Sequence, residues 1–201
     1  MEPFKPAIMV ALLRRGLAVM MGRRRGIEIF ILVLSIVLGG FAVAQPHGPS
    51  ADQQLGTRTA SSTDFDSVEL YYRWPARWVQ TQLLNWTPNT PWQARWDLSV
   101  AQWDGLDDNA NFLAFGPVVE WQAPSAPWRM SIGIQPTLIS EHEFRGKDLG
   151  GTFQFTSHVG LAWAPNDALV IGLRAQHTSN ARLYDSNPGV DMIGFEIGVP
   201  F

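Results

Sequence analysis

The sequence predicts an all-β fold, an eight-stranded antiparallel transmembrane β-barrel of the outer-membrane type that follows a cleaved signal peptide. The first 44 residues combine basic and apolar runs, as a secretory leader does. The rest of the chain has no long apolar segment and alternates polar with apolar residues, which is the period of a β-strand. A chain that spans a membrane without apolar helices must do so as a closed barrel, because backbone groups in lipid need partners.

The leader contains the three parts of a secretory signal. Residues 23–25 are three arginines, residues 29–37 form an apolar core, and residues 42–44 read Ala-Val-Ala, a signal-peptidase site. The alternative is an uncleaved transmembrane helix over residues 27–44, a segment at the short limit for a span. The position of the small-residue site favours cleavage, so residues 1–44 are assigned to a signal peptide.

The signal is unusually long at its basic end. A translation start at Met20 or Met21 would give a more ordinary length, and residues 1–19 would then be an annotation extension. Residues 45–66, which follow the signal, are polar and weakly patterned, and residues 67–201 carry the barrel pattern. The chain thus divides into a leader, a polar segment and a barrel.

Composition excludes several classes of function. The first 44 residues hold six of the 15 basic and two of the 18 acidic residues, which leaves 9 basic against 16 acidic residues in the remainder. Neither that balance nor the net charge of −3 provides a basic surface for nucleic acid. The absence of cysteine excludes a disulfide scaffold, a cysteine-based zinc site and a thiol nucleophile.

Seven segments alternate clearly enough to be assigned as strands. In the last of them, Ile193, Phe195 and Ile197 share one face while Glu196 lies on the other. Because single-chain bacterial barrels have even strand numbers, an eighth strand is expected in residues 50–62. The seven segments are residues 67–74, 92–103, 112–121, 128–138, 153–163, 168–179 and 190–201.

The polar faces of these strands carry four basic and four acidic residues. Such groups can neutralise each other inside a narrow barrel, whereas a soluble β-sandwich would rarely oppose paired charges on every strand. A barrel this small is filled by side chains, which argues against a wide pore. The eight residues are Glu69, Arg73, Arg95, Asp97, Glu120, Arg129, Arg174 and Glu196.

The loops and the end of the chain fit the same topology. With both chain ends periplasmic, residues 122–127 and 164–167 are short inner turns and residues 139–152 are a long outer loop, while residues 75–91 are long for an inner connection. The last strand, which ends on Phe201, resembles the C-terminal signature of outer-membrane barrels that the barrel-assembly machinery recognises. We therefore expect that machinery and outer-membrane lipid as partners.

A candidate catalytic group lies at the end of the penultimate strand. His177 and Ser179 share the lipid face of that strand, and Asp191 opens the lipid face of the next. If the hairpin is centred near Tyr184, His177 faces Asp191, with Cβ atoms about 5 Å apart. A hydroxyl, an imidazole and a carboxylate are the components of a nucleophile, a base and an orienting acid. The alternative is a set of rim residues that only meet lipid headgroups.

Residues 174–181, which contain His-Thr-Ser-Asn, and residues 187–191, Asn-Pro-Gly-Val-Asp, resemble the active-site hairpin of the lipid A 3-O-deacylase (PagL) family. The resemblance extends to the Trp-rich residues 73–103, to residues 115–118 and to residues 149–155. It covers roughly 67–201. Its most specific element is H-x-S-N with a carboxylate 12 residues after the serine.

The resemblance implies an outer-membrane barrel that hydrolyses the ester-linked acyl chain at the 3-position of lipid A in the outer leaflet. Ser179 would be the nucleophile, His177 the general base and then acid, and Asp191 the orienting carboxylate. Asn180 and Asn187 match amide-bearing positions near the family's oxyanion site. The partner would be lipid A, or the lipopolysaccharide that contains it. The scheme requires no metal and no cofactor, and the oligomeric state, monomer or homodimer, stays open.

Two positions depart from the family pattern. The familiar acid is Glu, and this chain has the shorter Asp191. Arg182 stands where a glycine is expected in a backbone oxyanion site, and its guanidinium suits a lipid A phosphate instead. The competing functional class is a non-enzymatic small barrel that acts as an anchor, an adhesin or a narrow pore.

Overall fold

Eight antiparallel strands close into a barrel in the computed structural model, which describes residues 52–87 and 90–201. Each barrel strand pairs with its neighbours along the chain, and the last strand pairs with the first. The barrel strands are β1 Gln54–Ser61, β2 Phe65–Pro75, β3 Trp92–Gly105, β4 Asp108–Gln122, β5 Trp128–Ile139, β8 Phe153–Asn166, β9 Leu169–Ser179 and β10 Val190–Pro200. Two-residue strands β6 (Glu143–Phe144) and β7 (Lys147–Asp148) form a separate small hairpin. The predicted signal peptide, residues 1–44, lies outside the described residues.

The predicted eighth strand is confirmed as β1. It pairs along its whole length with β10, from Gln54 opposite Pro200 to Ser61 opposite Ile193, and with β2 on its other side. The barrel therefore begins at Gln54, ahead of residue 67, where the clear alternation starts. The alternation is weak in β1 because Thr57 and Thr59 occupy its outward face, where the other strands carry large apolar side chains.

The charged interior predicted from the strand pattern is present. Of the eight charged residues predicted to face the lumen, seven are buried and the eighth, Arg129, is partly buried. Arg58 of β1, which the weak pattern concealed, lies at the centre of the cluster with 3% exposure. Its Nε lies 2.7 Å from Glu196 Oε2 and its Nη2 2.5 Å from Asp97 Oδ2, and it also pairs with Glu69. Buried charges of both signs thus meet in the lumen, as buried ions must when water is excluded.

The outer wall is predominantly apolar. The alternating positions opposite the lumen expose large hydrophobic side chains, which is the arrangement a lipid-facing wall requires. They include Leu70, Leu98, Val100, Leu113, Met130, Ile132, Ile134, Val159, Ile171 and Ile193. Within the described residues, no helix is both long and apolar enough to cross a membrane.

The two ends of the barrel differ. At one end the termini meet through backbone hydrogen bonds between Gln53 and Phe201, and short turns join β4 to β5 and β8 to β9. The longer connection at this end contains a π-helical turn, Val79–Leu83. The other end carries residues 140–152, with the β6–β7 hairpin, and the connection between β9 and β10. The candidate residues lie at this second end.

Candidate active site

The β9–β10 hairpin places His177 directly opposite Asp191, as the sequence predicts. The imidazole Nδ1 lies 2.7 Å from Asp191 Oδ1, within hydrogen-bond distance. Both side chains project from the outer wall, with 48% and 86% of their surface exposed. The contact fixes one ring nitrogen of His177 on the carboxylate and leaves Nε2 for another partner.

Ser179 is the last residue of β9 and lies two residues beyond His177 on the same outward face. Its backbone pairs with Phe155 of β8, and its side chain is partly exposed. The fold therefore collects a hydroxyl, an imidazole and a carboxylate on one patch of the barrel wall. A second serine, Ser157 of the neighbouring strand β8, lies directly opposite His177. Ser157 was not predicted as a site residue, although a serine between Phe155 and Val159 interrupts an apolar face.

The two candidate asparagines have different environments. Asn180 is fully buried, and its Nδ2 donates to Leu149 O at 2.8 Å and to Ser186 O at 2.6 Å. These bonds engage both hydrogens of the amide. Asn187 is partly exposed, and its Oδ1 accepts the backbone N–H of Asn180 at 3.1 Å. The NH₂ group of Asn187 is thereby turned away from that bond, so Asn187 rather than Asn180 has a side-chain donor to offer.

Arg182 lies in a tight turn directly after these residues. Leu183 N donates to Asn180 O at 3.0 Å, and the two central residues Ala181 and Arg182 have φ values of 53° and 64°. Positive φ at both centres defines a type I′ turn, in which non-glycine residues are disfavoured by about 1–2 kcal/mol each. The glycine expected at position 182 would suit this backbone. The exposed Arg182 retains the turn and adds a cation at the rim.

The outer connection, residues 140–152, packs on this turn and holds it in place. Ser186 Oγ donates to Asp148 O at 2.7 Å, and an added Cβ at Gly150 would lie 2.1 Å from Ser186 O. The backbone N–H of Gly150 donates to the Asp148 carboxylate at 2.7 Å and, with a smaller contribution from His142, lowers the pKa of Asp148. Because the backbone of Ser186 passes so close to Gly150, a larger residue would not fit where the two connections touch.

An apolar groove of about 770 Å³ runs along the outer wall beside His177. This volume is in the range of small-molecule and lipid-chain sites. His177, Asp191 and Ser157 stand at its polar margin, and the remaining exposed lining is hydrophobic. The apolar part includes Pro117, Val119, Ile132, Ile134, Val159, Ala175 and Ile193. The arrangement suits a molecule with a long apolar chain whose polar end reaches the imidazole.

Other titratable side chains at this end of the barrel or near the site are engaged elsewhere. Glu141 accepts the backbone N–H groups of His142 and Glu143, and His142 pairs with Asp148. His158 is buried on the lumen side against Gly133. Among residues 52–87 and 90–201, no group of three or more histidine or carboxylate side chains is arranged to hold a metal ion.

Comparison with known proteins places these features in a family. Residues 66–200 match the family model described as lipid A 3-O-deacylase (PagL). The lipid A deacylase PagL of Bordetella bronchiseptica is 31% identical over 64% of this chain and 72% of its own, and the one of Pseudomonas aeruginosa is 24% identical over 84% and 96%. The crystal structure of the outer membrane enzyme PagL superimposes with a TM-score of 0.60 at 20% identity, over 74% of this chain and 99% of that one. On this evidence the chain belongs to the lipid A 3-O-deacylase (PagL) family.

Proposed function

We propose that this protein hydrolyses the ester-linked acyl chain at the 3-position of lipid A in the outer leaflet of a Gram-negative outer membrane. The observation that carries the proposal is the His177–Asp191 contact at 2.7 Å on the outer wall, at the margin of an apolar groove. The site lies at the end of the barrel away from the chain termini. Residues 140–152 and 180–189, two of the three long connections, lie at this end. In outer-membrane barrels the longer loops face outward, where lipid A is found.

In the proposed reaction Ser179 Oγ attacks the ester carbonyl carbon and passes its proton to His177 Nε2. The bond from that carbon to the sugar oxygen then breaks, and the oxygen leaves with the proton from His177. Water then attacks the acyl carbon and gives its proton to His177. The bond from that carbon to Ser179 Oγ breaks, Oγ takes the proton back from His177, and the fatty acid is released. Asp191 holds the imidazole through Nδ1 and stabilises its protonated form.

Asn187 is the proposed donor to the oxyanion of the tetrahedral intermediate. Its Oδ1 is held by the backbone N–H of Asn180, which orients its NH₂ group as a fixed donor. A preorganised donor of this kind typically contributes about 10²–10³ in kcat. Asn180 itself acts through its buried bonds to Leu149 and Ser186, which fix the turn. This division of roles refines the pair of equivalent candidates that the sequence suggests.

Arg182 is proposed to contact a phosphate of lipid A from its exposed position on the turn. Arg182→Gln should raise KM for bisphosphorylated lipid A about tenfold and should leave KM for dephosphorylated lipid A unchanged. Steady-state kinetics on the two substrates in mixed micelles measure this. An equal effect on both substrates would show that Arg182 does not bind phosphate.

Asp191→Asn should lower turnover while the barrel remains assembled. The amide cannot stabilise the imidazolium, and in serine proteases the same change costs about 10⁴ in kcat; the exposure of Asp191 favours a smaller loss here. Asp191→Glu, which restores the acid more usual in the family, is the matched control and should retain activity. Heat-modifiable migration on gels reports assembly. Wild-type turnover in Asp191→Asn would remove this residue from the triad.

The groove beside His177 is proposed to hold the acyl chain. Ala175 lies in the groove on the same face as His177, so Ala175→Trp should fill it and lower kcat/KM for lipid A by about tenfold or more. Hydrolysis of a short ester such as p-nitrophenyl butyrate should change little. Ile171→Trp, on the same face of β9 but outside the groove, is the control. Equal losses of kcat/KM in Ala175→Trp and Ile171→Trp would argue that the groove does not hold the acyl chain.

The decisive experiment measures lipid A directly. Wild-type protein is expressed in the outer membrane of a Gram-negative host, and lipid A is analysed by mass spectrometry. The expected result is loss of one ester-linked acyl chain in wild type and intact lipid A in His177→Ala. Unmodified lipid A with a folded wild-type barrel would instead support a non-enzymatic anchor, adhesin or narrow pore.

A further inference from the structure

Gly189 lies close to the edge of the His177 imidazole, with no room for a side chain between them. It lies in the connection that leads into β10, is buried, and has a φ of 65°. An added Cβ would stand 2.8 Å from His177 Cε1 and 3.4 Å from Nε2. Cε1 is the carbon between the two ring nitrogens, so the added Cβ would lie next to Nε2, the nitrogen that must meet Ser179.

Among the described residues, the imidazole has one side-chain hydrogen bond, to Asp191. Its side chain is about half exposed on the outer wall, and its bonded partner Asp191 is 86% exposed. One hydrogen bond between two exposed side chains leaves the ring free to swing about that bond. Backbone is the rigid element available to limit the swing, and Gly189 supplies it at the ring edge.

The backbone at Gly189 has little room to withdraw. Pro188 precedes it with a fixed φ, and Val190 follows it as the first residue of β10, paired with Thr178. A side chain at position 189 must therefore displace the ring rather than the backbone. The same short segment carries Asn187 and Asp191, so one stretch of chain would set the oxyanion donor, the ring contact and the orienting acid.

We infer that Gly189 is a positioning residue that orients the His177 imidazole for proton transfer with Ser179. This inference rests on the proposed function. Gly189 has no side chain to take part in the reaction and acts through His177. Moving a base by a fraction of an ångström to 1 Å costs up to about 10²-fold in rate. Because Gly189 does not line the acyl groove and the apolar side chains that do are unchanged, the loss falls on kcat and not on KM.

The test compares Gly189→Ala and Gly189→Asn with the matched control Gly146→Ala. Gly146 also has a positive φ, 80°, but an added Cβ there meets nothing within 4 Å. The control thus carries the backbone strain without the contact. Asn tolerates the left-handed region, so Gly189→Asn keeps the test open if Gly189→Ala assembles poorly. Each barrel is refolded, checked for heat-modifiable migration, and assayed for kcat and KM on lipid A and for the rate at which a fluorophosphonate labels Ser179.

The expected result is a kcat about 10–100-fold lower in both Gly189 variants, a KM within about twofold of wild type, and a matching fall in the labelling rate. Gly146→Ala should behave as wild type. A wild-type kcat in the Gly189 variants, or a loss confined to KM, would show that Gly189 does not position the imidazole. If His177→Ala is inactive in the same experiment, the proposed function stands. Inactivity of the folded wild type overturns the proposed function itself.

Discussion

Ser179→Ala is expected to abolish lipid A deacylation without disturbing the barrel. Ser179 lies at the end of β9 on the outward face that carries His177, and the proposed acyl intermediate forms on its Oγ. Removal of the nucleophile of a serine hydrolase costs about 10⁴–10⁶ in kcat. Mass spectrometry of lipid A from cells and turnover of the refolded enzyme measure the loss, and heat-modifiable migration reports the fold.

Ser157→Ala is the discriminating partner of this experiment, because Ser157 faces His177 from the other side, on β8. Loss of activity in Ser157→Ala with a fully active Ser179→Ala would transfer the nucleophile to β8. The double variant Ser179→Ala/His177→Ala provides a second check. Residues that act as one unit are strongly non-additive, so the double variant should be about as slow as either single one.

Arg58→Met is expected to destabilise the barrel more than any change on its surface. Arg58 is buried and pairs with Glu69, Asp97 and Glu196. Its removal leaves buried carboxylates short of a counter-charge, and loss of one partner of a buried ion pair typically costs about 3–5 kcal/mol. Arg73 still contacts Asp97 at 2.8 Å, which places the expected loss toward the lower end of that range.

Arg77→Met is the matched control, since Arg77 pairs with Asp52 at 3.2 Å and the two side chains are 80% and 46% exposed. Exposed pairs contribute about 0–1 kcal/mol. Urea unfolding in lipid vesicles, followed by tryptophan fluorescence, gives the free energy of unfolding for both variants. If Arg58→Met and Arg77→Met had the same free energy of unfolding, the charged residues of the lumen would not be what holds the strands together.

The pattern of the sequence predicted most of the barrel because a lumen and a lipid phase on opposite sides of every strand impose strict alternation. It also predicted the pairing of His177 with Asp191, since the turn centre fixes the register of an antiparallel hairpin. The pattern was weakest in β1, which is held by pairing to β2 and β10 and not by an apolar face of its own.

Other features of the site depend on contacts between segments that are distant in the sequence. The burial of Asn180 follows from the outer connection that brings Leu149 onto the turn. The closeness of Gly189 to the imidazole depends on the path of the backbone into β10. Neither feature has a period or a spacing, so neither could be read from the residues alone.

The position of the candidate site on the outer wall determines how a substrate reaches it. A lipid that is already in the leaflet needs no entrance, channel or lid, and it arrives by diffusion in two dimensions along the barrel surface. The released fatty acid can leave in the same plane. The rate should then follow the mole fraction of lipid A in the surrounding lipid and not its bulk concentration, so the membrane itself regulates the supply of substrate.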